Sequence, residues 1–164
     1  MKKQGFSILE LMVTVLILGV LAAIAVPKLF GLFDKSKAAE IALAAGTYIK
    51  MQDTYVSEHV KAGSWQSIGY KSPAGNATGK ASTSNFTYDA AQTTYNWTAE
   101  ATISLNECSK GKKWFINHFL EAGSHDIKYW ASSDDVGNCM NALTPNFSKL
   151  SNTATAITSP GQAE

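Results

Sequence analysis

The hydrophobic pattern of this chain begins with a segment that is almost entirely apolar. From Phe6 to Val26 there are 21 residues, of which only Ser7, Glu10 and Thr14 are polar. About 20 apolar residues, at about 1.5 Å per residue in a helix, span the roughly 30 Å hydrocarbon core of a bilayer. The pattern therefore predicts a membrane-spanning helix. A charge inside such a helix costs about 2.5–3.5 kcal/mol on insertion scales, which makes Glu10 a candidate functional residue.

Beyond residue 33 the pattern becomes apolar on one side only, at the three- and four-residue spacing of a helix. We expect one helix from Phe6 to about Val60, with a hydrophobic half over residues 6–33 and an amphipathic half over residues 34–60. The apolar face of the second half needs a partner, and the rest of the chain is the candidate, so this face should belong to the core. The face consists of Ala38, Ile41, Ala42, Ala45, Tyr48, Ile49, Tyr55 and Val56, and opposite it lie Lys37, Glu40, Lys50 and Asp53.

The remaining region, residues 61–164, has the pattern of a connector followed by strands. Residues 62–84 are rich in glycine, serine, threonine and alanine, which predicts a surface loop too polar to join the core. From residue 85 on, aromatic residues and period-two alternation predict an antiparallel sheet on the amphipathic helix half, an α+β fold. The predicted strands are Asn85–Tyr88, Thr93–Leu105, Lys113–Leu120 (alternatively a short helix) and Asp126–Ala131, and the tail from Ser151 should fray.

The N-terminal residues resemble those of a type IV prepilin. The family pattern has a short basic leader, a glycine before the cleavage site, an apolar residue after it, and a glutamate as fifth residue of the mature chain. Here Lys2 and Lys3 precede Gly5, Phe6 and Glu10 at these positions. The resemblance covers residues up to about 60 closely and the rest only in architecture, and it implies the pilin fold.

The resemblance also implies how the chain is processed and assembled. Residues 1–5 would be a leader that a prepilin peptidase removes between Gly5 and Phe6, methylating the new amino group of Phe6. Glu10 would then pair with the positive N-terminus of a neighbouring subunit as the filament forms. This agrees with the physical expectation that a buried carboxylate is tolerable only when it is paired.

Two residues weaken the long helix, namely Gly19 and Pro27. Glycine lowers helix stability by about 1 kcal/mol and proline by about 3 kcal/mol, and Pro27 also leaves the carbonyl of Ala23 without its helical partner. For an isolated subunit the simple expectation is a kink at Pro27. The resemblance to type IV pilins implies that the segment from Gly19 to Pro27 can lose its helicity in a filament and so make it extensible.

The length of the chain, 164 residues, fits one globular domain plus an anchor. The formal net charge of +1 becomes −1 once Lys2 and Lys3 leave with the leader. All cationic side chains are lysines, which argues against nucleic-acid binding, because the planar fork of arginine is missing. The two lysines keep the leader in the cytoplasm and direct the C-terminal bulk outward. Residues 21–25 also resemble a signal-peptide cleavage site, but the apolar pattern continues beyond them.

Cys108 and Cys139 both lie in the part that we expect outside the membrane. An even number of cysteines in an oxidising compartment predicts one disulfide, worth about 3–4 kcal/mol for a loop of this length. A metal or redox pair would need a CxxC spacing or nearby histidines. The resemblance implies that the bridge bounds the D-region of a pilin, here residues 108–139.

No set of residues predicts catalysis, a metal site or a cofactor. Residues 123–126 include a serine, a histidine and an aspartate, but adjacent residues cannot converge as a triad, and no GxSxG elbow is present. The three histidines, His59, His118 and His125, lack metal-ligand spacing. Residues 134–138 could bind calcium, but without EF-hand spacing a solvated turn is the simpler interpretation.

The chain is therefore interpreted as a structural subunit of a type IV pilus, with no enzymatic activity. Its partners would be other pilin subunits, the prepilin peptidase, the assembly machinery of the inner membrane, and the membrane itself before assembly on the cell surface. One alternative is a pseudopilin of type II secretion. Another is a membrane-anchored, extracytoplasmic carbohydrate-binding module, in which exposed members of the four tryptophans (Trp65, Trp97, Trp114 and Trp130) stack on a surface polysaccharide, although most should belong to the core.

Overall fold

The computed structural model of the protein describes residues 5–90 and 96–154. The dominant element is helix α1, Ile8–His59, of 52 residues, which is about 78 Å long at the helical rise. It passes through Gly19 and Pro27 without interruption. It ends at Val60, which has a left-handed backbone (φ 53°) and donates its N–H to the carbonyl of Val56 at 2.8 Å.

Within the described residues, five antiparallel strands form one sheet in chain order. The strands are β1 (Lys80–Ser82), β2 (Phe86–Asp89), β3 (Trp97–Ala101), β4 (Lys113–Leu120) and β5 (Ile127–Ser133). A π-helical turn, Val136–Leu143, and a 3-10 turn, Ser148–Leu150, follow the sheet. The expectation of a long helix packed on an antiparallel sheet is confirmed, and the arrangement matches the pilin fold.

The predicted strands are confirmed with changes at their ends. Lys113–Leu120 is a strand and not a helix. The predicted strand Thr93–Leu105 is much shorter, because the chain leaves the sheet after Ala101 and Leu105 pairs with Cys108 across a tight turn. Thr93 to Tyr95 lie outside the described residues. The last strand continues two residues beyond its predicted end, to Ser133.

The core lies between the amphipathic half of α1 and the inner face of the sheet. Strand pairing places Trp97 opposite Ile116, and both side chains are fully buried. From the helix, the predicted face is confirmed in outline, but Ala42, Ile49 and Tyr55 are only half-buried. The buried helix residues are Ala38, Ile41, Ala44, Ala45, Tyr48, Gln52 and Val56.

Two carboxylates placed opposite the apolar face of α1, Glu40 and Asp53, lie outside the core as predicted but also hydrogen-bond to tyrosines of the sheet, which the sequence did not indicate. Glu40 Oε1 accepts hydrogen bonds from the hydroxyl of Tyr88 at 2.8 Å and of Thr83 at 3.0 Å. Asp53 Oδ1 accepts one from the hydroxyl of Tyr129 at 2.6 Å. Tyrosine hydroxyls at the margins of the core reach carboxylates on the flanks of the helix, because a buried O–H needs an acceptor.

The connector, residues 62–84, also enters the core, contrary to the prediction. Trp65 is 4% exposed and Tyr70 is fully buried. The Tyr70 hydroxyl donates to the carbonyl of Ala44 at 3.2 Å and accepts a hydrogen bond from Trp97 Nε1 at 2.9 Å. Burial raises the pKa of Tyr70 to about 12. A polar, glycine-rich segment can therefore still place two large aromatic side chains in the interior.

Cys108 and Cys139 form the predicted disulfide, with their Cα atoms 4.8 Å apart and both residues fully buried. The start of the tail does not fray. Asn152 donates its backbone N–H to the carbonyl of Tyr129 at 3.1 Å, and its side-chain oxygen accepts from the N–H of Tyr129 at 2.6 Å. Ser151 Oγ accepts from the N–H of Ala131 at 2.9 Å, so this segment covers the free edge of β5. The predicted fraying beyond residue 154 lies outside the described residues.

Candidate functional site

The hydrophobic half of α1 exposes all of its large apolar side chains, and within the described residues the head touches it only near Gly31. Between Phe6 and Phe33 the large apolar side chains are 47–85% exposed, with Val26 and Ile8 at the two extremes. An 18-residue window of this helix has a mean hydropathy of 2.7, and none of it is buried. Such a length of exposed apolar helix must be covered by lipid or by other protein chains.

The N-terminus of α1 leaves both the predicted cleavage site and the glutamate accessible. Gly5 and Phe6 precede the helix, and Phe6 is 73% exposed. Ser7 is the N-cap, and Ser7 and Glu10 have the spacing of a capping box, yet no side-chain hydrogen bond caps the helix. Glu10 is exposed and forms no ion pair among the residues described. Its carboxylate is therefore available to a group from another chain.

Gly19 and Pro27 lie within the exposed half. A Cβ added at Gly19 would meet no atom within 4 Å, so no contact inside the subunit requires a glycine there. Because α1 is continuous across both residues, loss of helicity between them in a filament stays a prediction.

A short turn from the sheet holds α1 where its two halves meet. The backbone N–H of Asn106 donates to Asp34 Oδ2 at 2.9 Å, and its side-chain amide donates to the carbonyl of Gly31 at 3.2 Å. Asn106 has a left-handed backbone, with φ of 50°. The slight burial of Asp34 opposes ionisation, but the Asn106 N–H and the Lys37 ammonium outweigh it and lower the pKa of this carboxyl. The turn fixes the helix relative to the head.

The three histidines lie apart and in different environments. His59 is exposed and stacks on Tyr55, with ring centroids 4.1 Å apart. His125 is exposed in the turn before β5. His118 is 7% exposed, and its Nδ1 lies 3.1 Å from the hydroxyl of Tyr48. Burial lowers the pKa of His118 to about 4, so the ring is neutral near pH 7.

We expect His118 to weaken the fold in acid. The pKa of His118 in the folded chain, about 4, is below the ordinary value of 6.5. Between these two pH values the imidazole is therefore protonated in the unfolded chain and neutral in the folded chain. The contribution of the neutral ring to the free energy of unfolding is complete above pH 6.5 and decreases as the pH is lowered. At pH 4.5 the loss is about 2–3 kcal/mol. Urea unfolding of the wild type and of His118→Gln, at pH 7 and pH 4.5, measures the difference.

The glutamine variant is the control for other groups that titrate in this range, because its amide oxygen can still accept a hydrogen bond from Tyr48. Its free energy of unfolding should fall less on acidification than that of the wild type. Equal losses in the two proteins would show that His118 does not contribute.

The other residue strings singled out from the sequence have structural explanations. In residues 123–126, Ser124 Oγ accepts a hydrogen bond from the N–H of Asp126, whose carboxylate contacts Lys128 at 2.5 Å. Asp135 caps the π-helical turn, accepting from the backbone N–H of Asn138 at 3.0 Å. These bonds lower the pKa of Asp135. No group of three metal-ligating side chains occurs in the part of the chain that the structure describes.

The tryptophans lie mainly in the core. Trp65, Trp97 and Trp114 are 0–4% exposed. Trp114 Nε1 donates to Thr144 Oγ1 at 2.9 Å, which ties the sheet to the segment after the disulfide. Trp130 alone of the four is half-buried, on the outer face of the sheet, 5.7 Å from the ring of Phe115.

Comparison with known proteins identifies the N-terminal segment. Residues 1–26 match the family model described as the prokaryotic N-terminal methylation motif. The match marks a type IV pilin-like class III leader, and the apolar helix that follows fits it. No solved structure matches the chain at a significant level. The match covers the N-terminal segment alone, and the exposed helix and the helix-on-sheet architecture agree with it.

Proposed function

We propose that this type IV pilin-like chain is a structural subunit of a pilus filament. A prepilin peptidase removes residues 1–5 and methylates the amino group of Phe6. Before assembly, subunits are anchored in the inner membrane by residues 6–33, with the head outside. The assembly machinery then transfers them to a filament at the cell surface, in which they pack through the same helix and serve adhesion or motility.

One observation carries this proposal: an apolar helix half whose large side chains are all exposed, beginning within the methylation motif. Lipid can cover it in the precursor, and neighbouring copies can cover it in a polymer. In either setting Glu10 would be a buried charge, which is strongly unfavourable when unpaired. The methylated amino group of Phe6 on a neighbouring chain is the cation that the motif itself supplies. Pairing them would also fix the axial register of the subunits.

The first test is the intact mass of the protein from the membrane and surface fractions, with fragmentation of its N-terminus. We expect a chain that lacks the five leader residues and begins with N-methylated Phe6. This start follows from the motif, since the peptidase cleaves after Gly5. A chain that retains Met1, or one that begins near Val26, would contradict the proposal.

A pseudopilin of type II secretion is the second candidate, because it shares the leader and the helix. The disulfide between Cys108 and Cys139 and the long serine- and threonine-rich connector favour a pilin that works outside the cell. Filaments sheared from the cell surface and composed mainly of this chain would distinguish the two functions.

The carbohydrate-binding module is the less favoured alternative. It needs exposed aromatic rings, and three of the four tryptophans are committed to the core. Trp130 remains as a half-buried ring. The module would be monomeric in detergent and indifferent to Glu10, so the assembly test on Glu10 also tests this alternative.

A further inference from the structure

A groove lies between the middle of α1 and the disulfide-bounded part of the head. Its volume is about 600 Å³, which is within the range of about 300–1,000 Å³ that small ligands occupy. Lys28 and Lys35 line it from the helix, and Asn106, Glu107 and Leu143 line it from the head. The hydrogen bonds of Asn106 to Gly31 and Asp34 fix this wall to the helix, so the groove is a built feature of the subunit.

The position of the groove along α1 corresponds to the membrane–water interface on the outer side of the inner membrane, in which the precursor is anchored. If Phe6 lies at the cytoplasmic boundary of the hydrocarbon core, Lys28 is about 33 Å farther along, just beyond a core of about 30 Å. Lys35 is about 10 Å beyond Lys28, on the same helix face. Helix side chains lean toward the N-terminus, here toward the membrane, so both ammonium groups can reach the headgroup layer.

The charge of the groove favours an anion. Both lysines are exposed, and neither forms an ion pair within the described ranges. Asp34, the nearest acid in sequence to Lys35, is already occupied by Lys37 at 3.1 Å and by the N–H of Asn106. Glu107 is the one carboxylate of the lining, so two cations face one anion.

We propose that this groove binds the phosphate headgroup of an anionic phospholipid of the outer leaflet, through Lys28 and Lys35, while the subunit is in the membrane. Leu143 and Leu32 give the groove an apolar margin. The bound lipid holds the base of the head against the membrane until the subunit is extracted. The inference rests on the proposed membrane-anchored precursor.

Native mass spectrometry of the full chain, purified in detergent and titrated with phosphatidylglycerol or phosphatidylcholine, tests the proposal. We expect the wild type to retain phosphatidylglycerol preferentially. Each lysine near an anionic lipid surface contributes roughly a factor of five, so Lys28→Gln with Lys35→Gln should lower the apparent affinity about 25-fold. Lys28→Arg with Lys35→Arg should restore it, because the charge is kept.

The matched control is Lys50→Gln with Lys61→Gln, which removes the same charge from exposed residues away from the groove. It should change the affinity by less than about twofold. Glu107→Gln removes the opposing carboxylate and should increase the affinity. All of these residues are exposed, so we expect the variants to fold, and their melting temperatures should match that of the wild type.

Several results would overturn the proposal: equal retention of the two lipids, an unchanged affinity in the groove variant, or an equal loss in the control. Soluble glycerol phosphate bound as tightly as the lipid would point to a free phosphate. A change in the dimer fraction instead of the lipid adducts would show that a second copy occupies the groove. The mass in the same spectra also shows whether residues 1–5 have been removed. A processed chain without lipid preference refutes this inference alone. An unprocessed chain that binds the lipid refutes the proposed function alone.

Discussion

Cells that produce Glu10→Gln in place of the wild type should carry few or no surface filaments, although the protein inserts normally in the membrane. Glutamine is no more costly than glutamate in the hydrocarbon, so the anchor is preserved. In the filament, however, the amino group of each neighbouring Phe6 would be buried without its counter-charge. Removing one partner of a buried ion pair costs about 3–5 kcal/mol, which lowers each association constant by roughly a factor of 150 to 5,000.

The measurement compares the amount of this chain in sheared filaments with the amount in the membrane fraction. Glu58→Gln is the matched control, because it removes one exposed carboxylate from the other end of α1 and leaves the apolar half untouched. It should assemble like the wild type. Glu10→Asp keeps the charge on a shorter side chain and should assemble partially. Normal filaments from Glu10→Gln would refute the role of this residue, and so would equal losses in the control.

The sequence was most informative where one physical requirement acts along a whole segment. An apolar run long enough for a bilayer defines the hydrophobic half of α1, and three- and four-residue spacing defines the core face of the other half. The segment Lys113–Leu120 was less clear, because five consecutive residues of β4 are buried and such a run does not distinguish a strand from a short helix.

The sequence was less informative where the partner of a residue comes from a distant part of the chain. Gln52 is fully buried, but no rule of spacing includes a polar residue in an apolar face. Trp65 and Tyr70 looked isolated in a polar loop, yet they pack on Tyr48, with ring centroids 6.3 and 5.5 Å away. Only the folded chain shows that the connector crosses the helix at this point.

Some residues of the candidate site could likewise be predicted from the sequence, and others could not. Gly5, Phe6 and Glu10 follow from a local motif that is readable without a structure. The groove at Lys28 and Lys35 does not, because it requires the turn at Asn106 to dock on α1 some 72 residues earlier in the chain. The left-handed backbone of Asn106 is the one local signal, since asparagine tolerates this conformation better than most residues.

Replacing both cysteines, Cys108→Ala with Cys139→Ala, should cost about 3–4 kcal/mol of stability through the loop entropy that the bridge removes from the unfolded chain. For a domain that is typically stable by about 5–15 kcal/mol, this is a large share. The melting temperature of the full chain in detergent should fall by roughly 10–20 °C. Calorimetry of wild type and variant measures the shift.

The bridge also joins the turn that docks on α1 to a segment that is tied to the sheet, so its loss should have a local effect. On one side, the turn that ends at Cys108 carries Asn106, which binds α1. On the other side, the carbonyl of Cys139 accepts hydrogen bonds from Thr144, which binds Trp114. Hydrogen exchange should therefore rise first in residues 104–109 and 136–144, before the strands β2 and β3 are affected.

A matched control separates the bridge from the packing of its sulfur atoms. Wild-type protein treated with a mild reductant while folded should keep its melting temperature, because both cysteines are fully buried and exchange needs access of a thiolate to the sulfur. The same protein reduced while unfolded should melt near the double variant. If the double variant instead melts within a few degrees of the wild type, the bridge is not a brace of the head, and the docking of Asn106 on α1 must hold without it.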